Sequence, residues 1–193
     1  MKVSIVRRNL LAVAVAAAVQ DVRCYLKSVL VEISATETRL VATDGAILAA
    51  IRTSAENETT EPFSFMIPVE TISRVKSSGS DVISLEIEKD RYALDGVAFS
   101  PVDGKFPDYR RVIPKYVNGE PSFFDPELVA RFAKIGKTLK AKGSTWIRQN
   151  GKNDAAVVLI SGFEDFIGVL MPVRETEKAK CPEIPAWPQS CGK

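Results

Sequence analysis

Apolar residues in this chain come first as a block and then as an alternation. Residues 10–19, LLAVAVAAAV, are apolar without a break and follow Lys2, Arg7 and Arg8. A block of this length behind positive charge fits two elements. One is a secretory signal, with Ala16-Ala17-Ala18 as its small-residue cleavage site and Arg7-Arg8 as a twin-arginine start. The other is a buried, alanine-rich helix over Arg7 to Gln20. The block is too short to span a bilayer, which takes about 20 apolar residues.

From residue 25 the period drops to two. YLKSVLVEIS (25–34) sets Leu26, Val29, Val31 and Ile33 against polar neighbours. RLVATDGAILAAIRT (39–53) gives two apolar runs broken at Thr43-Asp44-Gly45. Such alternation predicts half-buried antiparallel strands with a tight turn at Asp44-Gly45. SAENETTEP (54–62) is a polar loop, and FSFMIP (63–68) is a strand ended by Pro68. VETISRVKSSG (69–79) is a short helix closed by Gly79. Residues 81–104 give three short strands, turning at Lys89-Asp90 and Asp95-Gly96. KFPDYRRVIPK (105–115) is bracketed by prolines and reads as a connector.

The period then lengthens again. In DPELVARFAKIGKTLKAKG (125–143), Leu128, Phe132, Ile135 and Leu139 fall on one helical stripe. Asp125 suits the cap, with Pro126 and Glu127 in the first turn. Three strand-like runs follow at 144–150, 155–161 and 166–174. The helix and strands there resemble those at 69–104, the mark of an internal repeat. The chain therefore divides into residues 1–115, residues 116–174 and a Pro-rich tail at 175–193, read as flexible. Within the tail, CPEIPAWPQSC is alternatively a peptide that fills a cleft.

Composition removes whole classes of chemistry. The chain has 193 residues, enough for a proper core, and a net charge of +2 that points to no partner by itself. It has no histidine, so Ser-His-Asp and Cys-His nucleophiles cannot be assembled. The three cysteines, Cys24, Cys181 and Cys191, are neither a disulfide framework nor a zinc site, although Cys181 and Cys191 could pair across the tail. No glycine-rich phosphate loop or paired-acid signature occurs. The expectation is a binding protein with no catalytic residues, no metal and no cofactor.

Four stretches carry a resemblance. QDVRCYLKSVLVEI (20–33), RLVATDGAILA (39–49), GKFPDYRRVIPK (104–115) and VLMPVR (169–174) together resemble the bacterial DNA sliding clamp family, the beta subunit of the replicative polymerase. VATDG and FPDYRRVIP are the specific motifs. The resemblance covers roughly residues 5 to 174. It implies an α+β, DNA-clamp-like fold, with antiparallel sheets and helices on one face. One full clamp domain, like the family's middle domain, would be followed by half a domain, like the second half of its last. The family's first domain and the tail after Arg174 find no counterpart. In such a domain the segment at 7–20 is a helix, so the resemblance favours the helix over the signal and a cytoplasmic location with no membrane.

The resemblance also implies two surfaces. Arg7 and Arg8 open the first helix, Arg74 and Lys76 lie on the second, and Arg131, Lys134, Lys137, Lys140 and Lys142 lie on or just past the third. In the family that side meets double-stranded DNA through its phosphates, without reading bases. Gln20 and Tyr25 would join it, with Cys24 in place of an aromatic. The plain alternative is three solvated helix faces. The second surface is a cleft for the short peptides of clamp-binding proteins such as DNA polymerases. It falls on Leu26, Thr43, Gly45, Ile47, Leu48, Pro107, Arg111, Val112, Val169, Met171, Pro172, Val173 and Arg174. Its aliphatic and thioether side chains would make an adaptable groove, with the arginines at the rim. Ala46-Ile47 replaces the family's basic pair after the bend. The plain alternative is that 43–48 and 169–174 are core strands.

Counting helices bears on assembly. The family's ring has twelve and this chain three, so four chains would close a ring, or three if the short unit counts as a domain. A half domain leaves a bare sheet edge, so a homo-oligomer is expected. The expected function is a sequence-independent, DNA-associated replication or repair scaffold. Its rivals are a clamp mimic that binds clamp partners without encircling DNA and, if residues 2–18 are a signal, an exported protein.

Overall fold

The computed structural model describes residues 1–76, 80–174 and 181. It contains three units built on one plan. In the first, strand β1 (Lys2–Val6) leads into helix α1 (Arg7–Ala14) and then into β2 (Ser28–Ile33), β3 (Glu37–Thr43) and β4 (Ile47–Ser54). In the second, β5 (Phe63–Pro68) leads into α2 (Val69–Arg74), β6 (Val82–Glu88), β7 (Arg91–Leu94) and β8 (Val97–Phe99). The third has α3 (Pro126–Thr138), β9 (Thr145–Arg148), β10 (Ala156–Ile160) and β11 (Phe166–Leu170).

Two sheets result, one in the order β1-β6-β7-β8 and one in the order β5-β2-β3-β4-β11-β10-β9. All pairings are antiparallel. The expected change of unit at 115/116 is not a break in the sheet, because β11 adds directly to β4. The expected hairpins turn where the sequence put them. Asp95 and Gly96 both take positive φ, 48° and 80°, as a tight two-residue hairpin needs.

Alternation decides what faces what. Val29, Val31, Leu40, Ile47 and Ile51 point inward beneath the helices and pack with Leu10, Val13, Phe132 and Ile135. Leu30, Val41, Leu48, Ala50 and Val169 point to the outer face, where Phe106 and Tyr109 of the connector join them. Gly168 has a packing reason. A Cβ there would lie 2.4 Å from Phe132 Cε1 and 3.0 Å from Val158 Cβ, so only glycine lets the α3 aromatic rest on β11.

Three expectations need correction. Residues 2–6 are a strand, with Val3 and Ile5 buried at 1% and 2% exposure between exposed Lys2 and Ser4. The helix expected over Arg7 to Gln20 ends at Ala14, and residues 24–27 form a 3-10 turn before β2. The second helix ends at Arg74; Gly79, its expected stop, lies outside the described residues. So do 175–180 and 182–193, and with them most of the tail and Cys191. Among the described residues, no helix is long and apolar enough to cross a membrane.

Candidate functional site

The Thr43-Asp44-Gly45 bend is built from its own side chains. Thr43 Oγ1 donates to Ile47 O at 2.6 Å and accepts from Gly45 N at 3.1 Å. Asp44 Oδ1 accepts from the amides of Ala46 (2.8 Å) and Ile47 (2.9 Å). Gly45 takes φ +97°, a conformation that side chains resist. The last strand arrives beside this bend. Leu48 lies opposite Val169 and Ile47 opposite Leu170, and Met171 N donates to Ala46 O at 2.9 Å. Two stretches more than a hundred residues apart in sequence are therefore neighbours.

Their side chains divide between the two faces. Leu48 and Val169 lie on the outer face, in one cluster with Phe106 and Tyr109. Ile47 belongs to the inner core, and Leu26 is buried at 1% exposure, so neither offers surface to a ligand. Thr43 is buried as well, holding the bend. Pro107, Arg111 and Arg174 are exposed, Val112 and Val173 are 50% and 40% exposed, and Met171 and Pro172 are half-buried. The apolar surface at this place is thus narrower than the sequence implied.

Sequence reasoning missed the two aromatics that organise the outer face. Tyr109 donates its hydroxyl to Glu32 Oε2 at 2.7 Å, and Arg110 Nη2 reaches both oxygens of Glu32 at 3.0 and 2.8 Å. The Arg110 guanidinium also sits 4.5 Å from the centre of the Tyr109 ring. Burial and the neighbouring Glu32 push the Tyr109 hydroxyl up to about 12. These contacts fasten the connector to β2. Two aromatics three residues apart in an otherwise polar connector, Phe106 and Tyr109 in FPDYRR, were the available signal.

On the helix side, Arg131 is not a surface cation. Its guanidinium donates to Val15 O through Nε (3.1 Å) and Nη2 (2.8 Å), to Ala17 O (3.0 Å), and to Asp44 through Nη1. It satisfies carbonyls at the C-terminal end of α1, where positive charge is favoured, and ties that end to the bend. Arg7 Nη2 donates to Val75 O at 3.3 Å, and Arg8 pairs with Asp81 at 3.0 Å. Lys134, Lys137, Lys140 and Lys142 are exposed, as are Gln20, Arg74 and Lys76, and Tyr25 is half-buried. Lys140 also closes a helix. At φ +57° it ends α3, with Lys140 N bonded to Lys137 O and Ala141 N to Gly136 O, the pair of bonds that glycine usually closes.

This combination of helix-and-strand units, with strands exchanged between the first two, helices on one face and a connector across the other, is the architecture of the DNA sliding clamps. DNA polymerase III subunit beta from Pseudomonas aeruginosa superposes with a TM-score of 0.74 at 20% identity, covering 91% of this chain and 66% of that one. The Thermotoga maritima beta subunit gives 0.73 at 16% identity, covering 91% and 66%. In sequence, the beta sliding clamp of Pseudomonas putida is 34% identical over 116 residues, covering 56% of this chain and 32% of the relative. That of Proteus mirabilis is 38% identical over 104 residues, covering 50% and 28%. This chain thus matches about a third of the length of its curated relatives. The sequence profile of the DNA polymerase III beta subunit central domain matches residues 1–108, and the chain belongs to that family.

Proposed function

We propose that this protein is a non-enzymatic, clamp-type scaffold of DNA replication or repair. It associates with duplex DNA through phosphates, without sequence preference, and docks short peptides of polymerase-type partners on its outer face. The observation that carries the reading is the junction of Ala46 with Met171, which sets the bend beside the end of the final strand, with Phe106 and Tyr109 of the connector packed on the same face. Leu48 and Val169 form its floor, Val112, Met171, Pro172 and Val173 its accessible apolar part, and Arg111 and Arg174 its rim. The DNA-facing charge on this reading is that of the exposed Lys134, Lys137, Lys140 and Lys142, with exposed Arg74 at the end of α2 and Lys76 just past it, and Arg131 removed from the set.

The reading also favours the cytoplasm over export. Residues 2–14 supply β1 and α1, whose Val3, Ile5, Leu10, Ala12 and Val13 are at most 2% exposed. Cleavage of a signal there would remove part of the core.

The test is titration of a fluorescent clamp-binding peptide against the wild type and Met171→Ala. Weaker binding by the variant is expected. No binding to the wild type, or equal binding to both, removes the cleft. The mimic reading gains support from the internal engagement of Arg7, Arg8 and Arg131. Retention on circular but not linearised DNA separates the two, since a mimic is retained on neither.

A further inference from the structure

The three units follow one rule, and the third follows only half of it. In the first unit, the strand ahead of the helix leaves its own hairpins: β1 pairs with β6 of the second unit. In the second, β5 crosses to β2 of the first. Both exchanges start alike. The residue before the helix faces the first residue of the receiving strand, Val6 opposite Val82 and Pro68 opposite Ser28. In the third unit, residues 121–125 precede α3 but join no strand. The strands that could receive them, β2 and β6, already hold β5 and β1. Meanwhile β9, the third unit's own receiving strand, ends the seven-stranded sheet among the described residues.

Segment 121–125 is held as β5 is. Aligned on the helix starts, Phe124 corresponds to Ile67 and Phe123 to Met66. Met66 O accepts from Val102 N at 3.0 Å, and Phe123 O accepts from Val173 N at 2.7 Å. Val102 and Val173 each follow the last strand of their own unit. Phe124 packs on the inner core, as Ile67 does. The outer side differs. Met66 is 4% exposed and lies opposite Leu30, while Phe123 is 44% exposed. Trp146, on the outer face of β9 opposite Leu159, is 60% exposed.

We propose that residues 121–125 of one copy add to the β9 edge of a second copy, and reciprocally, so that two third units complete one two-fold domain. The interface is isologous, because each copy gives and receives the same strand. The faces fix its register. In β2 and β6 the inward residue is the second, Val29 and Ile83, whereas β9 begins on its inward residue Thr145. The pairing therefore starts one residue earlier, with Asp125 at Ser144. Phe124 then opposes Thr145 and Phe123 opposes outward-facing Trp146, as Ile67 opposes Val29 and Met66 opposes Leu30. The main chain agrees. Ser144 O accepts from Ser161 N, so by alternation Trp146 and Arg148 point their amides and carbonyls at β10. Thr145 and Ile147 then point theirs at the open edge. On the incoming segment, Phe123 O is turned toward Val173, which leaves Ser122 and Phe124 to bond across. Ser122 N is meanwhile held by its own Gln149 Oε1 at 2.9 Å, a contact that the carbonyl of Ile147 from the second copy would replace. Phe123 and Trp146 become a non-hydrogen-bonded pair, with Cα atoms about 4.5 Å apart, and the pair occurs twice.

Close Cα spacing of this kind suits a disulfide, which gives the test. In the full-length chain with Cys24, Cys181 and Cys191 changed to Ser, one preparation carries Phe123→Cys and another Trp146→Cys. On mixing and mild oxidation, the proposal expects a disulfide-linked heterodimer of twice the 21.1 kDa chain mass, and little from either preparation alone. Light scattering of the unmodified chain should give even multiples of that mass. Trp146→Lys and, from the other strand, Phe123→Lys should each halve it while keeping the native circular dichroism spectrum. A monomer at the highest soluble concentration overturns the proposal. So does a cross-link that forms only after residues 175–193 are deleted, because the tail is then the occupant of the edge.

Discussion

The two faces of the seven-stranded sheet are made of the same strands and do different work. The inner face is closed. Val29, Val31, Ile47, Phe132, Ile135 and Leu170 are each at most 2% exposed there, under α1 and α3. The outer face is covered by the connector over β2, β3, β4 and β11, and its margins stay open at Val112, Trp146, Leu159 and Val173. A single residue of register separates the two environments, as Ile47 beside Leu48 demonstrates. Stability should therefore respond most to the inner face and less to the covered part of the outer face, and binding to the open outer margin.

The inner face gives the largest expected effects. Phe132→Ala should cost about 3–5 kcal/mol in chemical denaturation, the usual range for a deleted core aromatic. Gly168→Ala should cost about 1–3 kcal/mol by overpacking. Combining it with Phe132→Leu should recover part of that cost, since the two sites share one contact. Equal costs for Phe132→Ala and for a change at Val112 would erase the distinction between the faces.

Arg131 comes next and tests whether a cation on the helix side serves structure or DNA. Arg131→Met leaves the carbonyls of Val15 and Ala17, and the Asp44 carboxylate, without this donor. A loss of about 2 kcal/mol is expected from the orphaned, partly buried groups, with DNA affinity little changed. Replacing Lys134 and Lys137 with Ala should do the reverse. Stability should stay within about 0.5 kcal/mol, while the slope of log affinity against log salt should fall by about 2.

How much of this was legible in the chain follows from where periodicity is strong. The alternation from 28 to 53 and the stripe on α3 announced strands and helix, but the strands are buried on both faces rather than half-buried, because the connector covers Leu30, Val41 and Leu48 on the side away from the helices. β1 went unread because KVSIV also looks like the charged start of a signal, although Val3 and Ile5 alternate correctly. The end of α1 was unreadable for another reason. Alanines carry no stop signal, and the partner of the terminal carbonyls is a side chain more than a hundred residues away. At the site, the motifs placed the bend beside the last strand. They could not say that Leu26 and Ile47 are enclosed, because a family's residue positions carry no face without the register. Arg131 could not be told from its neighbours: in sequence it is one cation among five, and only packing ties it to Val15, Ala17 and Asp44.

Smaller effects probe how the outer cover is fastened. The Tyr109 hydroxyl has a folded pKa of about 12 against an ordinary 10.0. The folded form holds this proton more tightly than the unfolded chain. The contribution of Tyr109 is therefore complete below pH 10 and lost as pH rises toward 12. Denaturation midpoints taken across that window should fall more steeply for the wild type than for Tyr109→Phe; parallel curves would mean that the hydroxyl does not hold the connector. Lys140→Gly removes a positive-φ side chain at the end of α3 and should stabilise by about 1 kcal/mol. The same change removes one cation from the helix side. A more stable protein with weaker, less salt-dependent DNA binding would place the two effects on one residue.

The smallest expected change in stability falls at Val173. This side chain is 40% exposed on the outer margin, and its backbone amide is already occupied by Phe123 O. Val173→Ser keeps that amide and removes only apolar surface already in contact with water, so stability should move by no more than about 0.5 kcal/mol. Peptide binding should behave differently. A contact buried by an incoming leucine or phenylalanine contributes on the scale of 1.4 kcal/mol, about tenfold in affinity. Titration of the same peptide against wild type and Val173→Ser reads this directly. An unchanged affinity with unchanged stability would make Val173 a bystander and move the docking surface along the outer face, toward Val112 and the connector.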